Sequence, residues 1–578
     1  MSPIGRNPRG GLRLGPLAVA AVWMAILVAG GGESLAVVPA FPTAEGEGMW
    51  ATGGRGGNVE VYHVTNLSNS GPGSLRYGVT TGTVPRIVVF DVCGTIINSN
   101  SLHITRPNIT IAGQTAPGLG IEIYNYGTAV TADNVILQHL HLRPGDAVKG
   151  PDPGYNNYGL LIDGQNIIID HCSTSWSISQ AMDVDGSGFA DVTVQYCTIA
   201  EALAQTGLFH GEWNANYNPG GPSYHGNGLF VKPMEGVSGT STCTAHHNLL
   251  ADNTSRNPCP GVYNSTQSVM FDFRNNVIYN CRNSGYSSGG GSWVKMNYVG
   301  NYLVAGPSTT SGSKAFDANA QCNVSIYQSG NKVDSDKDSL RDGVTMTWSS
   351  FQGPYTQLGS PVAMEAVTTE TADAAYANVL AHAGAFWWNR DLVDRRIVND
   401  ANTNTGMYIN SQKDRKDPNG ILTDPNGYLT ILETHRDPNW DTDQDGMPKF
   451  WETWYGSNPS TYDPNGDRDG DGYLDLEEYL VWIYDPNSIH RPGDATCDNA
   501  VAFSDLSVLA SNWSQTGKSW QDGDFNNNGT VDFTDLSILS SNWGWSGTPP
   551  SPAPVPEPAT LILLTAGGSL ALMRRRQR

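Results

Sequence analysis

Two groups of polar residues stand out by type and spacing. One is Ile169-Asp170-His171-Cys172. The other is His246-His247-Asn248, followed closely by Arg256-Asn257-Pro258. Held in register on one outer face of a rigid scaffold, such side chains could grip an extended polymer. A second chemistry lies further along, in Asp441-x-Asp443-x-Asp445-Gly446 with Glu452 at loop position 12. It recurs in Asp467-x-Asp469-x-Asp471-Gly472 with Glu478 at the same position. Carboxylates at positions 1, 3 and 5, a Gly turn and a distal Glu make the oxygen cage that calcium takes. Two complete matches so close together exclude chance. The bound ions would hold a segment with little core of its own.

The elements that must position the first group are short β-branched runs. Asn108-Ile-Thr-Ile, Asn134-Val-Ile-Leu, Asn166-Ile-Ile-Ile and Asp191-Val-Thr-Val open 26, 32 and 25 residues apart. Repetition at this spacing predicts a solenoid whose coils bury their apolar faces on one another. Asn275-Asn276, Asn301 and Asn331 continue the punctuation, and stacked Asn side chains at equivalent turns would satisfy backbone groups from coil to coil. The ladder spans about 41–335. The Ala-rich stretch 370–397 predicts a helix or two packed on the solenoid.

The chain has 578 residues, with 66 Gly, 34 Pro, only 33 Lys+Arg and a net charge of −22. Residues 441–535 hold 19 acidic against 4 basic side chains, so most of the acidity lies in one region. An acidic chain argues against nucleic acid as a partner. Arg6, Arg9 and Arg13, the apolar run 17–29 and Ser34-Leu35-Ala36 read as a secretory signal over 1–36. The run is shorter than the about 20 apolar residues a membrane span needs. Eight cysteines in an exported chain allow disulfides, with buried thiols the other reading, and the spacing does not fix a pairing.

A duplication follows the acidic loops. Phe503-Ser-Asp-Leu-Ser-Val-Leu-Ala-Ser-Asn-Trp513 recurs as Phe533-Thr-Asp-Leu-Ser-Ile-Leu-Ser-Ser-Asn-Trp543, each copy after a loop of oxygen ligands. The first loop offers Asp494, Thr496, Asp498 and Asp505; the second offers Asp524, Asn526, Asn528 and Asp535. The pair resembles the dockerin module, which implies a cohesin-like protein partner. Pro556-Glu557-Pro558, a short apolar run and Arg574-Arg575-Arg576 resemble the PEP-CTERM sorting signal of Gram-negative bacteria, implying export and retention at the cell surface or in extracellular matrix.

The opening Ala40-Phe-Pro-Thr-Ala-Glu-Gly, Thr52-Gly-Gly-Arg-Gly-Gly and Gly71-Pro-Gly-Ser-Leu-Arg76 resembles bacterial pectate lyases of polysaccharide lyase family 1. So do Ile109-Thr-Ile-Ala-Gly-Gln, Leu142-Arg-Pro-Gly-Asp146, Ile169-Asp-His-Cys172 and His246-His-Asn-Leu-Leu-Ala251 with Ser255-Arg-Asn-Pro258. The resemblance covers about 40–400. It implies an all-β fold, a right-handed parallel β-helix, and calcium-assisted β-elimination of polygalacturonate. Arg256 matches the base, Asp183 and Asp170 fall in the calcium region, and His225 and His247 are substrate-binding candidates. The match departs from the family in four ways. Asn156-Asn157 stands where an acid is usual, and Asp183 alone remains of a carboxylate pair. His210 and His225 stand in place of a Lys after Glu201, and Cys259 in place of a second Arg.

The expected organisation is therefore a signal (1–36), a β-helix (40–400), a linker with two calcium loops (401–490), a small α-helical dockerin-like pair (491–545) and a sorting tail (546–578). The leading function is a secreted polysaccharide lyase acting on an acidic polysaccharide. The alternatives are a hydrolase on the same scaffold, which would need paired carboxylates, and a catalytically silent β-helix that binds a pectin-like polymer.

Overall fold

The computed structural model describes residues 38–147, 158–204, 225–310, 312, 314–414, 429, 431–484, 493–496, 500–516, 518, 522–525 and 530–545. The expected signal and sorting tail, His210, Cys497, Asp498, Asn526 and Asn528 lie outside these residues. Among the described residues no helix is long and apolar enough to cross a membrane.

Three strands make each coil, and successive coils pair in parallel to build three long sheets. The first has eleven strands, from Glu60–Val64 to Tyr355–Gln357. The second has seven and includes Gln180–Val184, Asn227–Val231 and Cys259–Val262. The third has eleven, including Leu140–Arg143 and Ser173–Ser175, with short antiparallel additions at Val344–Thr345 and Thr434–His435. This is the parallel β-helix expected from the repeats.

Register makes the core continuous. Along the first sheet, Ile109, Val135, Ile167, Val192, Cys243, Phe271, Met296 and Ile326 pair one to the next. Each is fully buried. A Val or Ile so placed contributes roughly 1.5–3 kcal/mol of transfer free energy, and every coil supplies such rungs to its neighbours.

The Asn and Asp that open the strand runs sit where the chain turns with positive φ: Asn108 at 55°, Asn134 at 59°, Asn166 at 57° and Asp191 at 54°. Asn tolerates this region better than most residues. The Asn134 side chain donates to Asn108 Oδ1 at 2.8 Å, and Asn166 donates to Asn134 Oδ1 at 3.1 Å. A second, buried ladder runs through Asn248, Asn276, Asn301 and Asn331. Each Oδ1 from Asn276 onward accepts from both the backbone N–H and the side-chain amide of the preceding rung. The seven described cysteines are free and buried.

Helices Ala372–His382 and Leu392–Thr403 pack on the third sheet, capped by Thr371 and Asp391. The anchor is Arg143, fully buried, which donates to Asp391 at 2.5 Å, Asp394 at 2.8 Å and Glu122 at 3.3 Å. Helices Lys449–Tyr455 and Asp475–Tyr484 bring Trp451, Leu476, Tyr479, Leu480 and Trp482 against Val59, Ile87, Val89 and Ala112. The acidic stretch is thus docked on the solenoid, not strung beyond it. The duplicated helices Phe503–Ser511 and Phe533–Ser541 pair with each other around Leu509 and Leu539, with Leu506 and Leu536 at the margin.

Candidate active site

Side chains two apart on a strand share a face, and parallel register carries that face across coils. On the second sheet Leu161, Asp183, Phe230 and Cys259 form one row. Asp185 and Lys232 lie two residues further along the same face. Arg256 enters from the turn before Cys259–Val262, at φ 59°, followed by a cis Asn257–Pro258 bond. Its guanidinium carbon lies 4.4 Å from the Phe230 ring centroid, and Nε faces the Tyr286 hydroxyl at 3.4 Å. Lys232 Nζ sits 3.4 Å from the Tyr263 centroid and 3.4 Å from Ser288 Oγ. Beside Arg256 a cavity of about 250 Å³ opens, lined by Ser255, Asn283, Ser284, Tyr286, Lys314 and Asp317. Arg256 is half-buried, between Phe230 and the Tyr286 that lines this cavity.

The electrostatics fit a cation site. Asp183 is fully buried. Its Oδ2 accepts from Gln180 at 2.7 Å, while its Oδ1 has no hydrogen-bond partner, and neither does Asp185 Oδ1. Burial and the neighbouring Asp185 hold the Asp183 carboxyl well above its usual range, against the pull of Arg256. Asp185 is pushed up to about 6, chiefly by burial, with Lys232 opposing. Burial lowers the Lys232 ammonium. Burial also acts against the charge on Arg256, but Cys259, Tyr286 and Asp183 outweigh it and hold the guanidinium above its ordinary value. Buried acceptors left unpaired cost about 1–3 kcal/mol each. Two unpartnered carboxylate oxygens on one strand face are of the type a divalent ion takes as ligands.

The structure adds two residues to those the sequence singled out. Asp183 is not alone, since Asp185 stands beside it. No Lys follows Glu201 closely, but Lys232 on the next coil stands beside Asp185. Both were signalled by an alternating pattern at strand ends, Asp183-Val-Asp185 and Phe230-Val-Lys232.

Asp170 lies on another sheet, at the end of Gln165–Asp170, fully buried. It accepts from His171 at 2.7 Å, Gln195 at 2.9 Å and Gln138 at 2.9 Å, so its oxygens are engaged in the turn and not offered to the cleft. His247 is likewise a rung of a ring ladder. His139, His171, Tyr196 and His247 stack at 5.0, 5.0 and 4.9 Å between centroids. The ring nitrogens of His247 face His246 at 2.8 Å and Glu370 at 3.5 Å, and the residue is 2% exposed. It is not presented to a substrate. His225 stands just before Asn227–Val231, whose Asn227 bridges Ser255, so it flanks the turn that carries Arg256.

In the first acidic loop, Asp441 accepts from the N–H of Gln444 and Gly446, and Asp445 from that of Met447. In the second, Asp467 accepts from Gly470 and Gly472, Asp469 from Asp471, and Asp471 from Tyr473. Glu478 accepts a short bond from the Tyr455 hydroxyl. Asp494, Asp505, Asp524 and Asp535 are buried at the bases of the duplicated helices, and Thr496 donates to Asp505 at 2.8 Å.

Residues 554–577 match the PEP-CTERM protein-sorting motif. The chain is 34% identical over 457 residues to the probable pectate lyase C of Aspergillus flavus, an alignment covering 77% of this chain and 93% of that protein. It is 33% identical over 457 residues to the probable pectate lyase C of Aspergillus fumigatus, covering 78% and 94%. These relatives are fungal, although the motifs resemble bacterial enzymes. Among solved structures it is similar to Jun a 1, the major allergen from cedar pollen, with 19% identity, a TM-score of 0.41, and coverage of 59% of this chain and 92% of that one. At such identity over nearly the full length of the curated relatives, the chain belongs to the pectate lyase family.

Proposed function

We propose that the protein cleaves polygalacturonate by β-elimination in the cleft of the second sheet. The observation that carries this reading is the meeting of Arg256, Lys232 and two carboxylates with orphaned oxygens on one face of the second sheet. The C5 proton of galacturonate is weakly acidic, because its removal adds charge beside a carboxylate. Calcium, held by Asp183 and Asp185, would supply the positive charge that offsets this. Lys232 adds a second positive charge beside the reacting sugar. Arg256 takes the C5 proton, and the C4 oxygen leaves without water.

A guanidinium is a demanding base. Here Asp183 helps to keep it protonated, while burial works the other way. A cation on Asp183 would cancel that part of the support and leave burial opposed by Cys259 and Tyr286, so proton abstraction by Arg256 calls for alkaline pH. A non-cleaving polymer binder is the second reading, favoured by the raised Arg256 value and by Cys259 where a second Arg was expected. Incubation with polygalacturonate, with and without calcium, separates the two. Ultraviolet absorbance from an unsaturated product means elimination. New reducing ends without it mean hydrolysis, and neither means binding alone.

The sorting motif supports export and surface retention. The acidic loops and the duplicated helices suit structural calcium, and the duplicated pair suits a cohesin-like partner.

A further inference from the structure

The stretch around 441–463 gathers carboxylates far more tightly than solvation alone would allow. One oxygen each of Asp441, Asp443 and Asp445 lie within 4.8 Å of one another, and so do oxygens of Asp445, Glu452 and Asp463. Asp445 belongs to both groups. Asp445 and Glu452 have no solvent exposure. Both oxygens of Asp443, both of Glu452, Asp445 Oδ2 and Asp463 Oδ1 are buried and accept no hydrogen bond. Among the described residues, no Lys or Arg pairs with any of these four side chains. Buried carboxylates in this state are strongly unfavourable unless a cation joins them. Oxygen ligands in such number suit calcium and not a softer metal.

The same stretch is bolted to the β-helix close to each ligand. His63, on the strand Glu60–Val64, faces the Gln444 carbonyl at 3.2 Å and Asp91 at 2.9 Å. Trp451, next to Glu452, is 1% exposed and packs in the cluster with Val59 and Val89. Asn465, two residues after Asp463, accepts from the Val59 N–H at 3.0 Å.

We propose that Asp463, from outside the first loop, completes a calcium centre with Asp441, Asp443, Asp445 and Glu452, and that filling this centre fastens the acidic stretch onto the first coils of the β-helix. It is independent of the cleft and of the lyase reading. The fastening follows because every ligand is within three residues of a contact to the solenoid. An ion that fixes the ligands also fixes Gln444, Trp451 and Asn465.

The test is hydrogen–deuterium exchange on the full chain, first stripped with chelator and then titrated with calcium chloride alone. The Val59 amide and the segments 449–455 and 475–484 should exchange at least tenfold faster in chelator and recover with calcium. Asp463→Asn should raise the calcium concentration needed for that recovery at least tenfold. Asp183→Asn, in the cleft, should leave it unchanged. Unchanged exchange in chelator overturns the fastening without any variant being made. Recovery at the wild-type calcium concentration in Asp463→Asn overturns the ligand assignment. Elimination of polygalacturonate at saturating calcium, followed in parallel, reports the cleft separately.

Discussion

Replacing Arg256 by Lys separates two roles for the guanidinium. If its task is only to set a positive charge opposite Asp183 and the substrate carboxylate, an ammonium keeps that charge. The loss is then limited to the contact with Phe230 at 4.4 Å, worth about 0.5–2 kcal/mol. Turnover would fall about tenfold. If Arg256 abstracts the C5 proton, the geometry of the planar fork over Phe230 and beside Tyr286 is part of the reaction. General acid–base catalysis contributes typically about 10²–10⁴-fold, or roughly 3–5 kcal/mol of transition-state free energy. Lysine would then lower kcat at least about 100-fold with KM changed only a few-fold, since ground-state binding of the polymer is shared by many subsites. The assay is the initial rate of ultraviolet absorbance on polygalacturonate at saturating calcium, with melting temperature as the folding control. Retention of more than a tenth of kcat by both Arg256→Lys and Arg256→Ala would refute the assignment as base.

Other expectations concern the cleft, the charge network and the ladders. Asp183→Asn and Asp185→Asn should each raise the calcium concentration for half-maximal elimination at least tenfold; a change below twofold in both removes them as ligands. Glu122, fully buried, is pushed up from 4.5 to about 7 chiefly by burial, with Arg143 opposing. The folded state therefore holds an extra proton between those values, a stabilisation complete below pH 4.5 and lost as pH rises through about 7. Glu122→Gln should spare the protein that loss, gaining on wild type by about 1.4 kcal/mol per pH unit across the window in denaturant melts; parallel curves would contradict the linkage. For Asp391, burial is outweighed by Arg143 and His141, which depress it below 3.8. Its stabilisation is fully present above about pH 4 and is lost as pH falls through the depressed folded-state value, so Asp391→Asn, which keeps the helix cap, should cost about 3–5 kcal/mol at pH 7, and the gap to wild type should narrow steadily as pH falls below about 4. Asn276→Ala removes the acceptor for two donors of Asn248 and the donor to Ala245; a loss of about 2–4 kcal/mol is expected, and an unchanged melting temperature would deny the ladder its structural role.

Much of the scaffold was legible because its physics is periodic. Asn108, Asn134 and Asn166 announce positive-φ turns by residue type, and the β-branched runs behind them announce buried strands. The helices after residue 370 were also visible from their Ala-rich pattern and apolar spacing. What composition could not say is which polar residues look outward. Asp170, His171, His246 and His247 suggest chemistry because they are polar groups beside strands. In the folded coil they occupy the turn between the first and third sheets, where stacked rings and paired carboxylates fill space that apolar residues fill elsewhere. Their regular recurrence from coil to coil was itself the signal of a ladder, because a site is made once and a ladder on every turn.

The cleft was half legible for the opposite reason. Arg256 and Asp183 stand in recognisable strings, whereas Asp185 and Lys232 acquire meaning only across coils. Lys232 follows Asp185 by 47 residues, yet parallel pairing of Gln180–Val184 with Asn227–Val231 makes them neighbours on one face. A search along the chain for a Lys soon after Glu201 therefore looks in the wrong direction. The right search takes each strand's outward positions as a column and asks which columns align under the register. Applied to this sheet, it places Asp183 in one row with Phe230 and Cys259, and Asp185 beside Lys232. It follows that connections between coils can vary in length without moving the site, while a one-residue slip in any strand of the second sheet would turn its carboxylates into the core.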